Sequence, residues 1–240
     1  MWAMLVALVL LAISAVYASV GQAGGTGFLA VMAVAGVPVD QLRPTALAMN
    51  IVAASYTTWR LHTLGLIDWR RLVTMAAPAL PAAFVGGLIA LPPGLYTAVT
   101  GSLLVATALL MVLRPQEARW AAAPSNTGIA VLGATAGFLS GLSGIGGGVF
   151  IAPALIVLGW ARPKQAAGLS APFILGNSVT GLAGALIAGQ QLAPEFPLYA
   201  GVALLGAAVG TMLTQRFSER MIRLVLAGIV SIAGFRLMSR

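Results

Sequence analysis

Long apolar segments separated by short polar turns run through almost the whole chain. By their hydropathy, these segments cover residues 2–20, 27–37, 42–61, 72–91, 95–113, 127–142, 149–160, 163–188, 196–214 and 221–238. Most of them are about 20 residues long, and an α-helix of that length crosses about 30 Å of hydrocarbon. The pattern therefore predicts an all-α, polytopic membrane protein.

Two glycine-rich breaks interrupt this pattern at matching places in the two halves of the chain. Residues 21–27 read GQAGGTG, and residues 140–148 read SGLSGIGGG. The segments that follow, 27–37 and 149–160, are so short that a helix would reach little more than halfway across a bilayer. Each break is therefore predicted to join the two arms of a re-entrant helix hairpin. Segment 2–20 is long enough to cross by itself, and that alternative stays open.

The distribution of the basic residues favours re-entrant hairpins over full crossings. If both hairpins return to their own side, ten basic residues fall on one side of the membrane and three on the other. The ten are Arg60, Arg70, Arg71, Arg114, Arg119, Arg162, Lys164, Arg216, Arg220 and Arg223, and the three are Arg43, Arg236 and Arg240. Cytoplasmic loops carry the excess of Lys and Arg, so the larger group is placed inside. If both hairpins crossed the membrane, this bias would nearly vanish.

Each half then consists of one hairpin and three crossing helices, and an odd number of crossings inverts the second half relative to the first. The predicted units are a first transmembrane repeat over residues 1–113, a cytoplasmic linker over 114–126 and a second repeat over 127–240. Broken helices in corresponding positions of inverted repeats point to a transporter site near the midplane. The alternative is that a glycine-rich apolar composition produces the likeness by accident.

The composition agrees with a membrane protein. The chain is 60% hydrophobic and 8% charged, and its mean hydropathy is +0.99, whereas soluble domains carry about 25% charged residues. The net charge of +8 comes from residues scattered at the ends of apolar segments, so membrane orientation accounts for it and a nucleic-acid partner is not predicted. Without cysteine there is no disulfide or thiolate site. Residues 1–20 lack a basic n-region, so they are interpreted as mature structure and not as a signal peptide.

Carboxylates are missing from the apolar segments. The acidic residues, all in predicted loops or at helix ends, are Asp40, Asp68, Glu117, Glu195 and Glu219. Intramembrane carboxylates are the usual proton relays and sodium ligands, so neither is predicted here. The single histidine, His62, lies in a basic loop. No acid–base pair or metal-ligand cluster is evident, so an enzyme, a metal site and a cofactor are not predicted.

The glycine breaks themselves are predicted to bind an anion. Consecutive glycines let successive N–H groups point into one concavity, and a helix N-terminus adds partial positive charge. The alternative is that these glycines serve only close helix packing. Asn50 and Asn177 lie in the spans that follow the hairpins. Their amides could either bind an oxyanion or tie down the exposed backbone of the breaks, and the sequence does not choose between these roles.

This interpretation assigns fifteen residues to the predicted site and its surroundings. The predicted substrate-binding residues are Gly24, Gly25, Thr26, Gly27, Asn50, Ser143, Gly144, Gly146, Gly147, Gly148 and Asn177. Contacts at the mouth or secondary contacts are assigned to Gln22, Arg43, Thr45 and Ser170. For Arg43 the structural alternatives are snorkelling and pairing with Asp40. For Thr45 and Ser170 the alternative is a hydrogen bond to the backbone of their own helix.

These motifs resemble the sulfite exporter TauE/SafE family, also called the toluenesulfonate uptake permease group. The resemblance rests on GIGGGVFIAPAL at 144–155, on KQAAGLS at 164–170 and on Asn177. A degenerate first copy comprises residues 21–28, 43–47 and Asn50, and it departs from the family's glycine pattern at Ala23 and Thr26. The resemblance covers essentially the whole chain.

The resemblance implies a multi-pass permease of the bacterial inner membrane for small sulfur-containing anions such as sulfite and organosulfonates. The residues alone indicate only a small oxyanion. The predicted mechanism is alternating access, in which one half rocks against the other. The alternatives are an anion channel and a membrane subunit of a larger complex, and the expected partners are the oxyanion and the lipid bilayer. Which anion is carried, in which direction and with which coupling ion stays open, as does a homo-oligomer.

Overall fold

The computed structural model describes residues 2–113 and 125–212, together with isolated helical positions between 228 and 238, and the described part contains helices and no strands. The all-α prediction is thereby confirmed for this part of the chain. In order, the helices are α1 (Trp2–Ser19), α2 (Gly25–Ala35), α3 (Val39–Thr63), α4 (Trp69–Leu88), α5 (Pro93–Leu113), α6 (Asn126–Ser143), α7 (Gly148–Val157), α8 (Pro163–Ile187) and α9 (Phe196–Met212).

Local signals in the sequence explain several of the helix boundaries. The Asp68 carboxylate accepts a hydrogen bond from the Arg71 N–H at 3.0 Å and caps the start of α4. The Ser125 hydroxyl accepts one from the Gly128 N–H at 3.0 Å and caps α6, and Pro163 opens α8, where a missing N–H costs nothing. The linker predicted at 114–126 lies outside the described residues except for 125 and 126. The last predicted span, 221–238, is described only at isolated positions, so the domain boundaries stay predictions.

The helices that follow the two glycine breaks are short. Helix α2 has 11 residues and α7 has 10, so they extend about 16 and 15 Å, roughly half the hydrocarbon thickness. By length and composition, two of the described helices could span a membrane, over residues 69–88 and 164–187. Helix α3 is longer, with 25 residues, but it carries Asp40 and Arg43 near its start and Arg60 near its end.

One helix from each half of the chain packs against helices of the other half. Helix α4 packs against α6 and α8, although it belongs to the first half, and α9 packs against α1 and α3, although it belongs to the second. Helix α2 lies against α1 and α3 in the same way as α7 lies against α6 and α8. If equivalent helices of the two halves are interchanged, each of these packed pairs becomes another of the packed pairs.

The buried apolar side chains divide along the same lines into two clusters. The first core is formed mainly by α1, α2, α3, α5 and α9, and it includes Leu10, Met32, Met49 and Ala203. The second core is formed mainly by α4, α6, α7 and α8. Contact between α3 and α8 joins the two. The described part of the chain thus packs around two apolar cores, and each contains helices from both halves of the sequence.

Within each core, small residues bring two helix backbones into direct contact. A β-carbon at Gly137 would lie 2.3 Å from the Ala79 carbonyl oxygen, and one at Gly141 would lie 1.9 Å from that of Ala83. At the contact between α1 and α9, a β-carbon at Gly210 would lie 2.1 Å from the Ala15 carbonyl oxygen. Small residues four positions apart face the same neighbour and let membrane helices approach this closely.

Gly141→Ala is expected to lower the melting temperature of the purified protein in detergent. The added methyl group has no room, and overpacking of this kind costs about 1–3 kcal/mol. Gly201→Ala is the matched control, because Gly201 also lies inside a helix, with no atom within 4 Å of the added carbon. Equal melting temperatures for the two variants would contradict the close contact between α4 and α6.

Candidate functional site at the two glycine breaks

Both breaks end in a glycine that starts a helix in a conformation few other residues adopt. Gly24, the N-cap of α2, has φ 109°, and Gly147, the N-cap of α7, has φ 79°. A side chain would be strained in this left-handed region. Neither N-terminus receives a hydrogen bond from a capping side chain. The N–H groups of two first turns therefore keep hydrogen-bonding capacity in the interior of the protein.

The two breaks meet each other. A β-carbon at Gly25 would lie 2.3 Å from the carbonyl oxygen of Ile145, which belongs to the second break. Residues 23–30 and 143–149 are all buried. The structure thus brings the predicted glycines of both halves together at one buried place, and the closest approach joins the first turn of α2 to the loop before α7.

The side chain of Asn50 lies between the two breaks. Its Nδ2 atom is 2.5 Å from the β-carbon position of Gly25 and 2.7 Å from that of Gly146, so it contacts glycines of both halves. Asn50 is fully buried, and neither its Nδ2 nor its Oδ1 has a hydrogen-bond partner. A buried amide without partners is costly and rare. This amide is therefore a group for which a bound ligand would supply the missing hydrogen bonds.

Asn177 does not repeat this arrangement in the second half. Its Nδ2 donates a hydrogen bond of 2.9 Å to the Phe173 carbonyl oxygen in its own helix, and its Oδ1 is buried without a partner. The side chain that packs against the first turn of α7 is Ile174, whose Cδ1 lies 2.4 Å from the β-carbon position of Gly148. The contact that Asn50 makes in the first half is thus made by an apolar side chain in the second.

The predicted hydroxyl groups are engaged elsewhere. Thr26 shares a hydrogen bond with the Tyr17 hydroxyl, and Ser143 donates to the Leu139 carbonyl oxygen at 2.6 Å. Ser170 donates to the Ala166 carbonyl oxygen of its own helix at 2.7 Å, which is the structural alternative considered for it. Ser143 and Ser170 can therefore donate to a ligand only by giving up a bond, whereas in the pair of Thr26 and Tyr17 either hydroxyl can be the donor.

Thr45 and Gln22 differ from the other secondary contacts. Thr45 accepts a hydrogen bond of 2.8 Å from the Ala193 N–H, in the loop between α8 and α9, so its partner is not its own helix. Gln22 lies in the first break and is half-buried, and its Oε1 is buried without a partner. Of the two, only Gln22 keeps a free polar atom near the breaks.

Ser140 opens the second break and is a further candidate, although it was not among the predicted site residues. It is fully buried, its hydroxyl has no partner, and its Cβ lies 3.3 Å from the β-carbon position of Gly147. The signal that could have identified it is its position in the last turn of α6, one turn before the chain breaks at Gly144.

Arg43 does not lie at an exposed mouth, and its guanidinium does not contact Asp40. It is 1% exposed, and it donates hydrogen bonds to Gln190 Oε1 at 2.8 Å and to the carbonyl oxygens of Ile89 at 2.9 Å and Gly87 at 3.0 Å. Longer bonds reach the carbonyl oxygens of Gly86 at 3.4 Å and Leu142 at 3.3 Å. The carbonyl acceptors lie at the C-terminal ends of α4 and α6, where free carbonyls carry partial negative charge. Sequence could not show that two helix C-termini would enclose the side chain.

The electrostatics of the site favour negative charge. Two helix N-termini meet there, and each carries roughly half a positive charge. Arg43 is the only charged residue among the buried side chains of the described residues, so no described carboxylate is buried beside the glycines. The arrangement offers hydrogen-bond donors and partial positive charge, which suits a small anion.

Comparison with known proteins identifies the class. Residues 5–237 match a family described as Sulfite exporter TauE/SafE. A relative in Sinorhizobium fredii, named "Probable membrane transporter protein y4hK", is 32% identical over 233 residues, which cover 94% of each chain. Both findings support a membrane transporter. The chain belongs to the sulfite exporter TauE/SafE family, as its motifs had indicated.

Proposed function

We propose that this protein is a secondary transporter for small sulfur-containing oxyanions, such as sulfite or an organosulfonate, and that it works by alternating access in the bacterial inner membrane. One observation carries the proposal. Two glycine-capped helix N-termini from the two halves converge on the fully buried, unpartnered amide of Asn50. The oxyanion class follows from this chemistry, and sulfur follows from the family's description.

In this proposal the anion is held mainly by backbone. Its oxygens accept hydrogen bonds from N–H groups of 24–27 and 146–148 and from Asn50 Nδ2, because the N–H groups of Gly144 and Ile145 donate to Ser140 and Ser143. Ser140 and Gln22 supply nearby polar atoms, and Asn177 acts only indirectly, through the helix that it shares with Ile174. A cation gains nothing from two helix N-termini, so the same geometry selects against it.

The proposed topology consists of two inverted repeats, each with a re-entrant hairpin and three spanning helices. Three observations support it. The helices after the breaks are about half the length of a span. The basic residues divide ten to three when the hairpins return. The packing of α1 on α9 and of α6 on α4 is the pattern expected when the two halves are related by a pseudo-two-fold axis.

Flux measurements on the purified chain in proteoliposomes test this function. We expect saturable uptake of sulfite that small sulfonates inhibit, and faster uptake when the vesicles are preloaded with unlabelled sulfite. Sulfate, acetate and sodium are the comparison ions. Flux that never saturates and shows no counterflow would indicate an anion channel. An inactive purified chain that regains flux only with other membrane proteins would indicate a subunit of a larger complex.

A further inference from the structure

We infer that Arg43 is the latch that closes the anion site toward one side of the membrane, and that the units it joins are the two cores and not the two halves of the sequence. This inference rests on the proposed function. The hydrogen bonds of Arg43 join the two cores. The residue belongs to α3 in the first core, whereas Gly86, Gly87 and Leu142, which accept from it, belong to α4 and α6 in the second core.

The contacts inside each core are of a kind that resists motion. Backbones of α4 and α6 touch at Gly137 and Gly141, and backbones of α1 and α9 touch at Gly210. Between the cores, the Leu47 Cδ1 of α3 lies 3.6 Å from the β-carbon position of Gly181 in α8, which is an ordinary van der Waals distance. Close-packed interfaces move as units, and sliding occurs where the contact is looser. The cores are therefore the rigid bodies.

Among the described residues, the side-chain hydrogen bonds between the cores lie around the start of α3 and the ends of α4 and α6. Arg43 provides most of them, and the Tyr96 hydroxyl adds a hydrogen bond of 2.9 Å to the Ser143 carbonyl oxygen, at the end of α6. Arg43 also packs against the second break, because its Cα lies 3.1 Å from the β-carbon position of Gly144. At the first break the corresponding neighbours are the Cβ of Ala167, 2.9 Å from the β-carbon position of Gly21, and the Ala167 carbonyl oxygen, at 3.0 Å. The contact at the second break therefore includes the charged Arg43 guanidinium, whereas the contact at the first break is uncharged.

This difference assigns the gate. Hydrogen bonds from a charged donor are about twice as strong as neutral ones, and several must break together before the cores can part beside Arg43. The contact of Gly21 with Ala167 contains no charged group whose hydrogen bonds must break. Arg43 thus sets which side of the site opens. This role needs the planar guanidinium with its several N–H donors, because the single ammonium group of a lysine could not reach the same set of carbonyl oxygens.

Site-directed labelling tests the latch, because the chain has no cysteine and a single introduced thiol reports alone. Ser143→Cys and Ser19→Cys are matched reporters, since each serine is buried and is the last residue of the helix before a break. A membrane-impermeant maleimide is added to right-side-out or inside-out vesicles without any anion. In the Arg43→Gln background, labelling of Ser143→Cys from the Arg43 side should accelerate about tenfold or more, while labelling of Ser19→Cys should not accelerate.

Arg43→Lys separates the latch from a simple need for positive charge. We expect it to accelerate labelling as Arg43→Gln does. Unaltered labelling in either variant, or equal acceleration at both reporters, would overturn the inference. If the Arg43 variants do not accumulate in the membrane, Gln190→Ala removes one bond of the latch and should still accelerate labelling at Ser143→Cys alone.

Arg71→Gln is the matched control. The Nη1 of Arg71 also donates to a backbone carbonyl, that of Trp160 at 3.0 Å, but Trp160 packs against the second core and Arg71 starts α4 of the same core. Loss of this Arg71 hydrogen bond should leave the labelling rates of Ser143→Cys and Ser19→Cys unchanged. Sulfite is added last and tests the proposed function separately. If Arg43→Gln exposes Ser143→Cys but sulfite alters no labelling rate in any variant, the latch stands and the anion site fails.

Discussion

Gly25→Ala is expected to abolish anion transport. A β-carbon at this position would lie 2.3 Å from the Ile145 carbonyl oxygen and 2.5 Å from Asn50 Nδ2, so the methyl group would push the two breaks apart at the point where they meet. Gly25 has no positive φ, so the effect is one of space and not of backbone strain. Displacements near 1 Å in a preorganised site cost about 100-fold or more in rate.

Proteoliposome flux, normalised to the amount of protein inserted, measures this effect. Gly94→Ala is the matched control, because Gly94 also lies at the start of a helix and a β-carbon there meets no atom within 4 Å. The control should transport like the natural chain. Gly25→Ala protein that inserts normally and still transports at the natural rate would show that the contact between the breaks does not form the site.

Asn50→Asp is expected to eliminate anion binding without lowering stability. The substitution keeps the shape of the side chain and places a carboxylate between two uncapped helix N-termini, where negative charge is stabilised. The carboxylate would occupy the electrostatic position of the transported anion. Affinity for sulfite should fall by more than about 100-fold, because like charges at close range cost several kcal/mol, while the melting temperature should stay the same or rise.

Asn177→Asp should behave in the opposite way. The Asn177 amide donates to its own helix at Phe173, and no contact places it against the glycines of either break, so the new carboxylate would be buried without a helix N-terminus to stabilise it. The melting temperature should therefore fall. Thermal unfolding and sulfite titration of both variants at one pH measure the difference. Equal loss of stability in the two would contradict the placement of Asn50 between the helix N-termini.

Hydropathy and glycine spacing predicted the helices closely because both are local signals. The segments expected at 2–20, 42–61 and 163–188 are found as 2–19, 39–63 and 163–187. The two breaks and the short helices after them were also visible, since a glycine cluster inside an apolar run indicates a point where a membrane helix is interrupted. Residues 114–124 and most of 213–240 lie outside the described part, so the linker and the last span rest on sequence alone.

The sequence could not show which side chains reach the breaks. Asn50 and Asn177 look equivalent along the chain, yet one lies between the two breaks and the other bonds its own helix. Arg43 was assigned to the mouth of the site, with snorkelling and pairing with Asp40 as alternatives, but its partners come from residues 86–89, 142 and 190. Such contacts depend on helix packing between distant segments, and no local pattern records them.

Because α1 packs against α9, which is synthesised much later, the order of synthesis limits the order in which the helices can pack. The Ser14 hydroxyl donates to the Ala203 carbonyl oxygen at 2.6 Å across 189 positions of chain. At the usual speed of a ribosome, α1 waits about 10 to 40 s in the bilayer before α9 has been made. Its small-residue face stays unoccupied during that time, exposed to lipid and to other nascent helices. The earliest helix of the described chain therefore gains its contact with α9 only after most of the chain has been made.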